Sequence, residues 1–178
     1  MGGGNVGGLN TLRTLGWGAA ITVIVVDIAK AALAVIIARY VFNLDAGWVW
    51  ACGIAAVAGH NWMVWLRLSG GKGMAAAIGV IGAVSVIYGF GWVILAVLAI
   101  IVAIFIVRHN VVLGNAIALF LLPLMVWQAT ASGLHTLMSA LLVIVIAVKY
   151  TPAAIADYRR RGWAALGRDE IKPGRETR

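Results

Sequence analysis

Two glycine-rich segments contain the residues best suited to binding an anion. The first reads GGGNVGGLNTLR from Gly2 to Arg13. Glycine lacks a Cβ, so the backbone N–H groups of such a segment can approach an anion, and the Asn and Arg side chains add further donors. The alternative is a flexible start to the chain, which this stretch taken alone favours. The candidate binding residues here are Gly4, Asn5, Gly7, Asn10 and Arg13.

Three of these N-terminal glycines also match a dinucleotide-binding pattern. Gly2, Gly4 and Gly7 satisfy GxGxxG, and Asp27 follows 20 residues after Gly7. The pattern requires a preceding strand, and none precedes it. Asp27 also lies within an apolar helix that no ribose could reach. Dinucleotide binding is therefore excluded.

The second segment reads GHNWMVWLRLSGGKGMA from Gly59 to Ala75 and joins two apolar runs. Helix termini, free N–H groups and a lysine at such a junction can bind a phosphate. It is not a Walker A loop, because Gly73 occupies the Ser/Thr position and Leu66 stands where the first glycine belongs. The candidate binding residues here are Gly70, Gly71, Lys72 and Gly73.

His60 lies about three turns before this loop. A single histidine on an apolar helix is more often structural than catalytic, and both interpretations stay open. We take it as a catalytic candidate beside Arg13 and Lys72. A stripe of small residues four apart on the same helix predicts a face for close helix packing: Ala51, Ala55 and Gly59.

Charged residues within or beside the apolar runs form a supporting group. Asp27 and Lys30 are spaced i, i+3 and share a helix face, so each can partly neutralise the other. This pair either locks helices together or holds the donors of a site in place; a proton relay is a third alternative. Arg108 is expected to anchor a helix end at the interface, with a weaker role in a site, and His135 looks incidental.

Metal or cofactor chemistry has no support in the residue spacing. The three histidines and the single Cys52 are dispersed without ligand spacing, and there is no Ser-His-Asp arrangement or paired acid. Nothing near Cys52 would activate its thiol, and it cannot form an internal disulfide. We expect neither a metal nor a cofactor.

Composition indicates the elements that must position these residues. Hydrophobic residues make up 63% of the 178 and charged residues 11%, and the mean hydropathy is +1.00. A water-soluble domain of this size cannot bury that much apolar surface, so soluble, disordered and disulfide-stapled classes are excluded. We expect an all-α bundle of transmembrane helices. The six predicted spans are 16–42, 46–66, 74–88, 90–107, 111–131 and 134–150.

The distribution of positive charge predicts orientation. All but two of the 14 Lys and Arg residues, Lys30 and Arg39, fall on one side if the N-terminus is cytoplasmic. Both termini are therefore expected in the cytoplasm. The net charge is +8, and seven of the 14 basic residues lie in a tail at 151–178, following a membrane domain at 1–150. This pattern favours contact with anionic lipid over nucleic acid.

The N-terminal segment MGGGNVGGLN has neither a charged nor an apolar region of the kind a signal peptide needs, so no signal peptide is expected. This segment is expected to form a loop that leads through Thr11–Gly16 into the first span.

The glycine-rich segments resemble motifs of the bacterial acyl-phosphate:glycerol-3-phosphate acyltransferases. GGGNVGGLNTLRTLG is similar to that family's GSGNxGATNxLRTxG, and GHNWMVWLRLSGGKGMA is similar to GHxFPVFxxFxGGKGVAT without a gap. VVDIAKA and VVLGNAIALFLLPL are similar to segments that follow each motif. The resemblance covers residues 2 to about 150, and its motifs occur in the family's order.

The resemblance implies a cell-membrane enzyme of phospholipid biosynthesis. It would transfer a fatty acyl group from acyl phosphate to the sn-1 hydroxyl of glycerol 3-phosphate, giving lysophosphatidate and phosphate. The family has seven spans, so its first span would be absent here. That absence would leave a lipid-facing gap for a second copy or a membrane partner.

One family motif is altered in this chain. An RHxxNIxRLxxGxE-type motif is expected after the last span, where this sequence reads KYTPAAIADYRRRGW, without the expected His and Asn. Two alternatives to an active enzyme therefore remain. One is a non-catalytic relative that binds lipid precursors or a partner. The other is a small transporter that uses Asp27 and Lys30.

Overall fold

The protein is all-helical over residues 7–162, the part of the chain that the computed structural model describes. A short 3-10 helix at Val64–Leu66 lies in the connection between the third and fourth α-helices. The predicted all-α class is confirmed, and every predicted span corresponds to a helix. The helices are α1 (Gly8–Leu15), α2 (Trp17–Tyr40), α3 (Ala46–Asn61), α4 (Met74–Ile87), α5 (Trp92–Arg108), α6 (Val111–Thr130) and α7 (Gly133–Arg161).

Not all of these helices are long enough to cross a bilayer. Four segments meet the requirement by length and hydropathy: α2, α3 with the 3-10 turn, α6 and α7 up to Ala156. The other two predicted spans correspond to shorter apolar helices, α4 with 14 residues and α5 with 17. At 1.5 Å per residue, α4 extends only about 21 Å, against a hydrocarbon thickness of about 30 Å. It packs against α2, α3 and α5, so much of its surface faces protein rather than lipid.

The start of the described chain corrects the sequence analysis. Residues expected to form a loop instead fold as α1, which packs along α2. Leu12 is buried in that contact, and Gly8 lies against the Ile24 side chain. Apolar burial on one face therefore outweighs the low helix propensity of glycine and asparagine. Gly16 then breaks the helix with a φ of +85°, a conformation that glycine adopts without steric cost.

Glycine does bring helices close together, but not at the predicted stripe. Ala55 and Gly59 are exposed, and a Cβ built on Gly59 would meet no atom within 4 Å. That prediction was wrong because it placed the stripe on the wrong face of α3. The glycine of α3 that packs inward is Gly53, against Val35 and Val80.

The last helix extends beyond the predicted span end at residue 150. α7 continues to Arg161 and contains Pro152. It therefore crosses the predicted boundary between the membrane domain and the basic tail as a single helix. Residues 163–178 of that tail lie outside the described residues, so the division into two domains stays a prediction.

Candidate active site

A compact group of charged side chains joins α2 to the end of α3. Lys30 Nζ lies 2.6 Å from Asp27 Oδ1 and 2.8 Å from His60 Nδ1. Asp27 and His60 are buried, at 6% and 5% exposed, whereas the Lys30 side chain is 38% exposed. The i, i+3 contact of Asp27 with Lys30 agrees with the spacing. The inclusion of His60 was not predicted, since it depends on how α2 and α3 are aligned.

The three side chains lie within reach of one another. An ammonium group has several donors, so Lys30 can donate to Asp27 Oδ1 and to His60 Nδ1. Nδ1 of His60 also lies 3.3 Å from Asp27 Oδ1. Lys30 therefore bridges the buried carboxylate and the buried imidazole.

The connection between α3 and α4, residues 62–73, is called the glycine-rich loop, and its Gly70–Gly73 part lies directly against His60. The Gly71 N–H donates to the His60 carbonyl at 3.0 Å, and a Cβ at Gly71 would overlap the His60 ring at Nε2. A Cβ at Gly70 would overlap the same carbonyl. Gly73 has a φ of +76° and precedes α4. The loop needs glycine so that its backbone can close over the end of α3, and in this conformation the Gly71 N–H is used in that contact.

Lys72 extends from this loop towards α7. Its Nζ lies 4.8 Å from the centroid of the Tyr150 ring. The neighbouring Lys149 donates from Nζ to the Leu68 carbonyl at 3.2 Å and lies 5.7 Å from the Trp62 ring centroid. Loop residues on both sides of Gly70 are thus in contact with α7. Sequence reasoning singled out neither Lys149 nor Tyr150 as a site residue.

The N-terminal candidates lie on or beside α1. Gly7 is its N-cap, Asn10 accepts the Thr14 hydroxyl at its carbonyl, and Arg13 is exposed in the last turn. Gly4 and Asn5 lie outside the described residues. Since α1 packs along α2, this segment is attached to the helix that carries Asp27 and Lys30.

Arg108 and two other polar residues, Asn110 and His135, lie far along the chain from the Asp27–Lys30–His60 group and make other contacts. Arg108 is the exposed last residue of α5, and Asn110 caps α6 by accepting the Leu113 N–H at 2.9 Å. His135, for which the sequence suggested no role, has specific packing and hydrogen-bond contacts. Its Nδ1 accepts the Trp50 indole N–H at 2.9 Å, and its ring packs against Tyr88 and Phe90.

Asn61 is a site residue that sequence reasoning missed. It is fully buried next to His60, and its side-chain oxygen lies beneath Gly73. Within residues 7–162, neither side-chain polar atom of Asn61 has a hydrogen-bond partner. No pattern in the sequence distinguishes this residue, because its position depends on the fold of the loop. Over the same range, no group of three or more His, Cys, Asp or Glu side chains is placed to hold a metal.

Fold and site together define a polytopic membrane protein with cationic groups around a glycine-rich loop at one end of its bundle. The model of the glycerol-3-phosphate acyltransferase family matches residues 1–156. The chain belongs to that family. The resemblance inferred from the motifs is confirmed, as is the predicted class of enzyme, a membrane acyltransferase.

Individual relatives agree with the family match. Glycerol-3-phosphate acyltransferase 1 of Dehalococcoides mccartyi is 43% identical over 150 residues, which cover 84% of this chain and 72% of the relative. The glycerol-3-phosphate acyltransferase of Thermoanaerobacter sp. is 37% identical over 146 residues, which cover 80% of this chain and 70% of the relative.

Two solved structures have the same fold. Both are crystal structures of PlsY, an integral membrane glycerol 3-phosphate acyltransferase. The glycerol 3-phosphate form superimposes with a TM-score of 0.79 at 28% identity, covering 90% of this chain and 78% of that one. The lysophosphatidic acid form gives a TM-score of 0.77 at 27% identity, with 88% and 78% covered.

Proposed function

We propose that this chain transfers a fatty acyl group from acyl phosphate to the sn-1 hydroxyl of glycerol 3-phosphate. The hydroxyl oxygen attacks the acyl carbonyl carbon, the bond from that carbon to the phosphate oxygen breaks, and inorganic phosphate leaves. The products are lysophosphatidate and phosphate. One observation carries the proposal: the loop bearing Lys72 closes over His60, which is hydrogen-bonded to Lys30 beside Asp27.

The cationic residues suit two phosphate-bearing substrates. Arg13 on α1 and Lys72 on the loop are the groups we assign to binding phosphate, since guanidinium and ammonium groups form charge-assisted hydrogen bonds with its oxygens. The binding residues Gly4, Asn5, Gly7 and Asn10 would supply further donors on the N-terminal segment. Gly70, Gly71 and Gly73 let the loop backbone approach both His60 and the substrate. Arg108, at the end of α5, stays a supporting candidate.

The charged group beneath the loop is assigned a positioning role. Nδ1 of His60 lies within hydrogen-bond distance of Lys30, and Nε2 faces Gly71, so both ring nitrogens have neighbours in the protein. His60 would then hold the loop, with Asp27 and Lys30 fixing its ring. Acyl phosphate is already activated, so positioning and charge stabilisation can carry the reaction. We infer that a substrate phosphate accepts the hydroxyl proton.

The first experiment is a turnover assay on the purified protein in liposomes. Given palmitoyl phosphate and glycerol 3-phosphate, the wild type should release phosphate and form lysophosphatidate. Lys72→Ala should abolish both, while Tyr40→Leu, at an exposed position at the end of α2, should leave them unchanged. A wild type that binds substrates without turnover would contradict the proposal and favour a non-catalytic relative.

The pH dependence separates the two candidate bases. If a substrate phosphate accepts the proton, the pH–rate profile should move when acyl phosphate is replaced by an acyl thiophosphate, which keeps a departing group but differs from phosphate in acidity. It should keep its shape in His60→Gln. A profile that loses an inflection only in His60→Gln would assign the base to His60 instead.

The membrane that holds the enzyme, its orientation there and its protein contacts are also proposed. We place it in the inner or plasma membrane with both termini cytoplasmic, which puts the glycine-rich loop on the cytoplasmic side, where phosphorylated metabolites are found. A second copy or another membrane protein is proposed to pack against the lipid-facing side of the bundle. Crosslinking in liposomes at low protein-to-lipid ratio tests that contact.

A further inference from the structure

The C-terminal half of α7 contacts the glycine-rich loop at two points. The Tyr150 ring lies beneath the Lys72 ammonium at 4.8 Å, and Lys149 Nζ donates to the Leu68 carbonyl at 3.2 Å. The two contacts come from adjacent residues of one helix and reach loop positions on either side of Gly70. They are also the first two residues of the segment KYTPAAIADYRRRGW, where a family motif is altered.

We propose that Tyr150 and Lys149 are positioning residues for the phosphate-binding loop. Tyr150 holds the Lys72 ammonium at the site, and Lys149 fixes the part of the loop that precedes it. This inference rests on the proposed function of Lys72. Neither residue is assigned contact with the reacting atoms.

The Tyr150 contact depends on the face of an aromatic ring. A ring quadrupole attracts a cation placed over its face within about 6 Å of the centroid, and the attraction strengthens where water is excluded. Tyr150 and Lys72 are both partly buried. A phenylalanine ring would supply the same face, whereas leucine fills similar space without a quadrupole. The two substitutions therefore separate the cation contact from simple packing.

The Lys149 hydrogen bond stabilises a strained part of the glycine-rich loop. Arg67 and Leu68 are consecutive non-glycine residues with φ of +52° and +62°. Such residues carry a conformational cost of about 1 kcal/mol or more each, so other contacts must hold them in place. The Lys149 ammonium does so by hydrogen-bonding the Leu68 carbonyl.

Kinetics in liposomes tests the Tyr150 role. We expect Tyr150→Phe to keep wild-type kcat/KM within about twofold. Tyr150→Leu should lower it by about 3- to 30-fold, the range that corresponds to a cation–π contact. The loss should appear mainly in KM, measured separately for acyl phosphate and for glycerol 3-phosphate, with little change in kcat or in unfolding temperature. Tyr40→Leu is the matched control on an exposed tyrosine.

Lys149 is tested in the same assay. Lys149→Met keeps the length of the side chain but removes the hydrogen bond to Leu68, and should lower kcat/KM by about 2- to 10-fold. Lys149→Arg retains a donor and should recover most of that loss. Equal effects of Met and Arg would overturn the assignment of Lys149.

A second measurement does not require turnover. Acylation of lysines by an amine-reactive reagent, followed by mass spectrometry, reports the accessibility of Lys72 in the substrate-free protein. We expect Tyr150→Leu to raise Lys72 labelling and Tyr150→Phe to leave it at the wild-type level. If wild-type turnover is absent but this labelling pattern holds, the proposed function fails and the contact stands. Equal labelling of Lys72 in the Leu and Phe variants would overturn the inference, as would equal kinetics in the two variants when the wild type is active.

Discussion

Gly71 and Gly59 differ in what surrounds them, although both lie close to His60. A Cβ at Gly71 would overlap the His60 ring, whereas a Cβ at Gly59 would meet nothing within 4 Å. We expect Gly71→Ala to displace the loop and lower kcat/KM by about 10- to 100-fold, a typical cost of misplacing reacting groups by about an ångström. Gly59→Ala should retain activity and gain up to about 1 kcal/mol from helix propensity. Turnover and thermal unfolding of the two variants in parallel test this pair, and similar losses in both would contradict it.

The Asp27–Lys30 pair should show energetic coupling. Lys30→Met leaves the buried Asp27 carboxylate without its ammonium partner, and should cost about 1–3 kcal/mol, reduced from the fully buried case because Lys30 is partly exposed. Adding Asp27→Asn removes the uncompensated charge and should restore part of that loss. Unfolding of the wild type, both single variants and the double variant measures the coupling. Additive losses would show that the two charges do not interact.

At the residue scale, the sequence was informative where contacts are local. The spacing of Asp27 and Lys30 within one helix was enough to predict that they pair. Spacing could not predict that His60 joins them, because that contact depends on the alignment of α2 with α3. Asn61 and Tyr150 were missed for the same reason. Their neighbours are 12 residues away at Gly73 and 78 away at Lys72.

Gly79 lets α4 approach α2 closely. A Cβ at Gly79 would overlap the Ile28 carbonyl of α2, whereas one at Gly82 would make ordinary contact at 3.7 Å with Ile94. We expect Gly79→Ala to push the helices apart and lower both the unfolding temperature and turnover, since Asp27 and Lys30 flank Ile28. Gly82→Ala, on the same helix, should behave like the wild type. Unfolding temperatures that shift equally in both variants would contradict this role.

Helices were predicted well from hydropathy, but their ends and faces were not. Long apolar runs located α2 to α7 because burying or embedding apolar side chains dominates the free energy. The formation of α1 depends on its contact with α2, so local propensity gave the wrong answer there. On α3, the small residues Ala55 and Gly59 face outward and Gly53 faces inward. Size alone does not indicate which face of a transmembrane helix meets protein, since lipid accepts small and large apolar residues alike.

The two ends of the helix bundle carry different polar and aromatic residues. One end gathers α1, the glycine-rich loop, the α5–α6 junction and the C-terminal half of α7. The other end contains the aromatic group around His135 and the short α2–α3 connection. Among the described residues, the phosphate-binding candidates Arg13 and Lys72 fall at the first end, together with Arg67, Arg108 and Lys149, whereas Arg39 lies at the other. One asymmetry in charge can thus serve both orientation in the membrane and attraction of anionic substrates.

Orientation in the membrane provides the prediction at this scale. The positive-inside rule places Ser69, an exposed loop residue, in the cytoplasm, and Asp45, an exposed residue before α3, on the opposite side. In a Cys52→Ser background, Asp45→Cys should react with a membrane-impermeant thiol reagent in right-side-out vesicles, and Ser69→Cys only in inverted ones. The Cys52→Ser protein itself should not be labelled in either preparation. The reverse pattern would put the glycine-rich loop on the side away from cytoplasmic glycerol 3-phosphate. It would then contradict the proposed acceptor as well as the proposed topology, because a charged phosphate ester does not cross the bilayer unaided.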